Sequence, residues 1–154
     1  MAVNITASER SRRSFPKPKP SNAAAKLGLR YERRVGTELN LHVNRGRFEQ
    51  LEHNPWFTFY DTFGQSNCSP DYLLWFEGRV IIIEVKLTWV EVALAKLHEL
   101  YCPVVSVALQ CPVLPLVICR NVTPKSPKAQ FSLSEAITSP EKLLQWPNTG
   151  HIQW

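Results

Sequence analysis

The run Arg79-Val80-Ile81-Ile82-Ile83-Glu84-Val85-Lys86 constrains the fold more than any other segment. Consecutive β-branched residues favour an extended strand, and a strand apolar on both faces must be covered on both. The run therefore belongs at the centre of a sheet with a layer on each side. Just before it, Asp71-Tyr72-Leu73-Leu74-Trp75-Phe76 has the same strand character, and Glu77-Gly78 separates the two as a tight hairpin turn. With those two residues as the loop, Phe76 pairs with Arg79 and, counting outward, Asp71 falls opposite Glu84. Strand alternation puts Lys86 on the same face as Glu84.

The flanking sequence supplies the covering layers. Ser21 or Asn22 can cap a helix to about Leu41, with Leu27, Tyr31, Val35 and Leu39 on one apolar stripe and Glu32 beside it. Trp56-Phe57-Thr58-Phe59-Tyr60 is an aromatic strand, followed by a polar loop from Asp61 to Ser69 in which Asp61 forms a turn. Thr88-Trp89-Val90-Glu91 fits a capping box that opens a helix from Trp89 to about Tyr101. Strands are expected over Val104–Leu109 and Leu114–Cys119, the second limited by Pro115 to an edge or a late start. A short helix over Glu141–Trp146 closes the order. The fold class is thus α/β, a mixed central sheet flanked by helices.

At 154 residues and 44% hydrophobic, the chain has room for one domain, 21–154, with a real core. Residues 1–20 read as a disordered basic arm, because Phe15-Pro16-Lys17-Pro18-Lys19-Pro20 buries little and cannot be helical. The formal charge of +5 and the crowding of Arg10, Arg12, Arg13, Lys17, Lys19 and Lys26 against Glu9 alone favour a polyanionic partner. Cys68, Cys102, Cys111 and Cys119 show neither CxxC spacing nor a finger-like histidine, so a zinc site is not expected. No secretory signal or membrane span is read, which makes a reducing cytoplasm the expected compartment, the host's if the gene is viral.

Two opposed carboxylates destabilise a sheet unless a cation sits between them, and an all-oxygen pair suits Mg²⁺ or Mn²⁺. Pro70-Asp71 followed, after a hairpin-sized gap, by Glu84-Val85-Lys86 resembles the PD-(D/E)xK phosphodiesterase superfamily. The resemblance covers about residues 22–110 and implies a restriction-endonuclease-like sheet. It makes Asp71, Glu84 and the Val85 carbonyl metal ligands and Lys86 a catalytic ammonium. It also implies an acid on the preceding helix, and Gly28-Leu29-Arg30-Tyr31-Glu32 matches, which makes Glu32 the candidate second-metal or water-positioning ligand. Many relatives carry Gln then Tyr on the helix after the lysine; here His98 and Tyr101 stand there, a departure that argues against the helicase-associated exonucleases.

Pro70-Asp71-Tyr72-Leu73-Leu74, Glu84-Val85-Lys86 and a Trp soon after are similar to the phage type of Holliday-junction resolvase, which implies a DNA substrate and a homodimer. The implied activity is metal-dependent, structure-selective DNA endonuclease cleavage. A restriction or repair nickase, an exonuclease, or a catalytically silent DNA-binding protein on the same fold are the alternatives. Arg30, Arg33, Arg34, Arg45 and Arg47 ring the first helix and its exit, with Lys17 and Lys19 in the arm; they either grip phosphates or keep the helix soluble. His42, His53 and His151 read as surface or satisfied histidines, and the aromatic strand as core or as a stacking platform.

Overall fold

In the computed structural model, which describes residues 4–122 and 151–153, two antiparallel runs, Tyr72–Phe76 and Arg79–Thr88, form the hairpin around which the chain is organised. Glu77 (φ 48°) and Gly78 (φ 72°) both take the left-handed conformation that a two-residue primed turn requires. Phe76 pairs with Arg79 and Tyr72 with Ile83, the register expected from sequence.

In chain order the elements are β1 (Ala7–Arg10), α1 (Ala23–Asn44), β2 (Gln50–His53), β3 (Phe57–Asp61), β4 (Gly64–Cys68), β5 (Tyr72–Phe76) and β6 (Arg79–Thr88). Then come α2 (Glu91–Lys96), a π-helical turn (Leu97–Tyr101), α3 (Cys102–Leu109), β7 (Val113–Asn121) and β8 (His151–Gln153). The larger sheet has the order β2-β5-β6-β7-β8. Its β2, β5 and β6 are antiparallel, whereas β6, β7 and β8 run parallel. The fold is therefore mixed α/β. A second, antiparallel sheet has the order β1-β3-β4.

Alternation along β6 decides what lies on each side. Ile81, Ile83 and Val85 pack with Tyr31, Val35 and Leu39 of α1, while Val80 and Ile82 pack with Leu97, Tyr101, Val104 and Val105 and with Phe57 and Phe59 of the small sheet. Burying such a side chain contributes about 1.5–3 kcal/mol, so the two-sided strand is the energetic centre. Asn22 caps α1 by accepting from the Ala25 amide at 2.7 Å, and the helix runs three residues past Leu41. Leu27, expected on its apolar stripe, is exposed.

Several expectations are corrected. Val104–Leu109 is helical, not a strand: α3 continues from α2 through the π turn, and Leu97, Tyr101, Val104 and Val105 bury one side while Val107 is exposed. Helical spacing over the whole segment wins over local β-propensity. The Thr88 capping box does not form, because Thr88 ends β6 opposite Asn121 and Val90 precedes the helix without a side-chain cap. The loop from Asp61 to Ser69 holds strand β4, whose Gly64–Asn67 are exposed and carry no apolar alternation to mark them. Asp61 does form the turn, accepting from the Phe63 amide at 2.8 Å.

Strand β2, Gln50-Leu51-Glu52-His53, is too short and polar to mark itself in the sequence. Ala7–Arg10, expected in a structureless arm, pair with Tyr60–Phe57. Pro115 lies in an interior strand, but β8 pairs only with Val117–Cys119, so at the proline itself β6 is the sole partner among the described residues. The expected helix Glu141–Trp146 lies outside the described residues. Glu91–Leu109 is, by length and composition alone, long and apolar enough to cross a membrane; here its buried face packs on the sheet.

Candidate active site

The hairpin fixes Asp71 and Glu84 at the end of the sheet where β5 begins. Each acid accepts a backbone amide of the other strand: Val85 N–H donates to Asp71 Oδ2 at 2.8 Å, and Asp71 N–H donates to Glu84 Oε1 at 3.3 Å. Both residues are buried. Lys86 Nζ stands 3.8 Å from Glu84 Oε2. Burial, reinforced by the charge of Asp71, pushes the Glu84 carboxyl up to about 7 despite the opposing pull of Lys86 and Lys96. Removing water disfavours a charged carboxylate, and a second carboxylate nearby disfavours it further.

Glu32 reaches the same place from α1. The helix can lie against β5 because residue 36 is glycine: a Cβ there would come within 2.8 Å of Tyr72 Cζ, closer than real atoms approach. That contact lets Tyr72 Oη donate to the Glu32 carbonyl at 2.8 Å. The Glu32 carboxyl is raised by burial first and by the nearby charge of Asp71 second. Its Oε2 lies 3.0 Å from His53 Nε2. His53, at the end of β2 and paired with Tyr72, stacks on that ring with centroids 4.7 Å apart. Asn54 follows, its amide donating to the Asp71 carbonyl at 2.9 Å and its Nδ2 lying 3.0 Å from His53 Nε2.

A cavity of about 590 Å³ opens beside the two strand acids, lined among others by Lys17, Lys19, Glu32, Arg33, His53 and Lys86. A second, of about 430 Å³, is walled by Lys19, Lys26, Arg30 and Arg33, and a third, of about 410 Å³, by Arg30, Arg34 and Arg120. The exposed face of α1 next to the acids is thus strongly cationic. Asp71, Glu84, Val85, Lys86 and Glu32 are brought together, with Lys17, Lys19 and Arg33 beside them, while Arg30 and Arg34 line the neighbouring cavities.

Arg45 and Arg47 are not part of the site. They lie beyond the other end of α1, about 20 Å along the helix from Glu32 at 1.5 Å per residue. Arg47 instead contacts buried His42 at 2.9 Å. His98 is exposed on the π turn, while Tyr101 Oη donates to the Ser69 carbonyl at 3.3 Å and supports the loop leading into Asp71. His53 and Asn54 were missed. The signal available was a histidine ending a strand beside the β5 acid, but that strand, β2, is only four residues long with no fully buried position to mark it.

Among the described residues no group of three or more His, Cys, Asp or Glu side chains is arranged to hold a metal ion. The donor chemistry nonetheless fits a hard cation: two buried carboxylates lie side by side, held by amides at one oxygen each, with a third acid at the cavity wall. Mg²⁺ is usually held by one or two carboxylates, its remaining positions going to water and substrate phosphate. No family model, curated protein or solved structure matches the chain.

Proposed function

We propose that this protein is a metal-dependent DNA endonuclease of the PD-(D/E)xK type, acting on branched or otherwise distorted DNA. The observation that carries the reading is the reciprocal amide bonding of Asp71 and Glu84 across the hairpin, which holds two buried carboxylates side by side. Opposed acids that a sheet would otherwise exclude are what a cation site needs. Glu32 and Lys86, both in the wall of the neighbouring cavity, add a third carboxylate and an ammonium beside this pair, an arrangement suited to phosphoryl chemistry.

A Mg²⁺ or Mn²⁺ ion held by Asp71 and Glu84, with Glu32 and the Val85 carbonyl as further donors, would supply an activated water and neutralise charge on the scissile phosphate. Lys86, already beside Glu84, orients that water or stabilises the negative charge that develops on the phosphate oxygens. Arg33 and Lys19 line the cavity and would grip the phosphates beside the acids, with Arg30 and Arg34 in the neighbouring cavities extending the cationic surface. A resolvase needs two symmetric nicks and hence two active sites, so the working form on DNA is a homodimer in the cytoplasm.

The test is cleavage of linear, nicked, flapped and four-way DNA with and without Mg²⁺. Preferential, Mg²⁺-dependent cutting of branched substrates supports the reading. Single nicks in linear duplex would favour a restriction- or repair-type nickase, and binding without cutting would favour a silent DNA-binding protein.

A further inference from the structure

We propose that Lys17 belongs to the acid site and sets its affinity for divalent cations by sharing Asp71 with them. This rests on the metal-site reading above. Lys17 comes from the segment before α1, yet its Nζ donates to Asn54 Oδ1 at 2.6 Å and lies 3.5 Å from Asp71 Oδ1. The ammonium thus occupies the side of Asp71 that its bond from Val85 leaves free, since that bond uses the other oxygen, Oδ2.

Two features make this placement more than a wandering surface lysine. The segment is stiff and anchored: Pro16, Pro18 and Pro20 restrict its backbone, and the Phe15 ring packs on Trp56 with centroids 5.0 Å apart. The acceptor is also held. Asn54 sits in the left-handed region (φ 50°), which asparagine tolerates better than most residues, with its amide tied to the Asp71 carbonyl and its Nδ2 directed at His53. A fixed Oδ1 therefore faces a tethered ammonium.

A cation arriving at Asp71 must displace that ammonium or share the carboxylate with it, so Lys17 lowers the intrinsic metal affinity. An entering DNA phosphate attracts the same ammonium away from Asp71. By reciprocity of linkage, DNA then tightens metal binding and metal tightens DNA binding. Lys17 is a positioning residue in this scheme, distinct from Lys86, which stays beside Glu84.

The experiment is Mn²⁺ titration calorimetry of the full chain without DNA, comparing wild type with Lys17→Met, Lys17→Arg and Asp71→Asn, each checked by thermal melting. Lys17 is 43% exposed, so its replacement leaves the core intact. The expected result is that Lys17→Met binds Mn²⁺ about tenfold more tightly, the scale of one partly screened charge at this distance. Lys17→Arg keeps the wild-type affinity and Asp71→Asn loses binding. Equal or weaker binding by Lys17→Met, with wild type still binding, overturns this inference alone. Absence of Mn²⁺ binding from both, or full binding by Asp71→Asn, overturns it together with the metal site.

Discussion

The Asp71 carboxylate accepts the Val85 amide at 2.8 Å, so the residue between Glu84 and Lys86 is tied to the acid on the opposite strand. That bond makes the two halves of the site one rigid unit. It also turns Asp71 towards Glu84, and the charge of Asp71 is one reason the Glu84 carboxyl is pushed up to about 7.

Replacing Glu84 by Gln should raise metal-free stability while removing function. Glutamine keeps the shape and can still accept from the Asp71 amide, but it removes a buried charge that Asp71 repels. At pH 8 in chelator, Tm should rise by about 2–4 °C, the shift that 1 kcal/mol produces in a domain of this size. Differential scanning calorimetry checks it, and a fall in Tm would mean the charge is already neutralised in the fold.

The pH dependence follows from the same shift. A carboxyl whose folded pKa lies above its unfolded value favours the fold when protonated, so its contribution is full below about pH 4.5 and is lost as pH rises through about 7. Glu32 is displaced in the same direction. The metal-free protein should therefore lose stability from Glu84 as pH climbs from about 4.5 to about 7, and from Glu32 as pH rises above the ordinary carboxylate range. Mn²⁺ affinity should rise over that window, with proton release on binding below pH 7. Calorimetry in buffers of different ionisation enthalpy counts those protons.

Gly36→Ala should force α1 away from β5 and take Glu32 with it. The added Cβ meets the Tyr72 ring, and overpacking of this kind typically costs about 1–3 kcal/mol. Tyr72→Phe alone should cost about 1 kcal/mol through the lost bond to the Glu32 carbonyl. In the double variant the penalties should be less than additive, because removing the hydroxyl relieves part of the clash. Urea denaturation of all four proteins gives the coupling.

Arg33→Ala should weaken DNA binding about equally for all sequences and reduce the slope of log K against log salt by about 1, the mark of one lost phosphate contact. Arg47→Ala should leave that slope unchanged, since Arg47 is far from the acids and contacts His42. Fluorescence anisotropy across a salt series separates the two.

The hairpin, its register and the five groups Asp71, Glu84, Val85, Lys86 and Glu32 were readable because each rests on a strong local rule. Glu77-Gly78 dictates a turn type, the turn dictates pairing, and a helix stripe at Tyr31, Val35 and Leu39 dictates which side Glu32 flanks. What escaped depends on contacts distant in sequence. Val104–Leu109 has strand composition and becomes helical only because it extends a helix whose inner side already faces β6. β1 exists because β3 offers it an edge, and β4 because it folds back on β3. His53 reaches Glu32 and Asn54 reaches Asp71 through strand β2, and Lys17, expected only as a phosphate contact, reaches Asp71 through the anchored segment around Phe15; neither segment carries an apolar period.

The central claim is that a divalent ion between Asp71 and Glu84 drives phosphodiester hydrolysis, and Glu84→Ala tests it most directly. Cleavage of a labelled four-way junction and of linear duplex, with Mg²⁺ and with chelator, is compared for wild type and variant alongside a binding assay. Wild type should cut only with Mg²⁺, and Glu84→Ala should bind the DNA yet fall in rate by at least about a thousandfold, the scale of a lost electrostatic contribution to a transition state. Cleavage by Glu84→Ala at the wild-type rate would contradict the account.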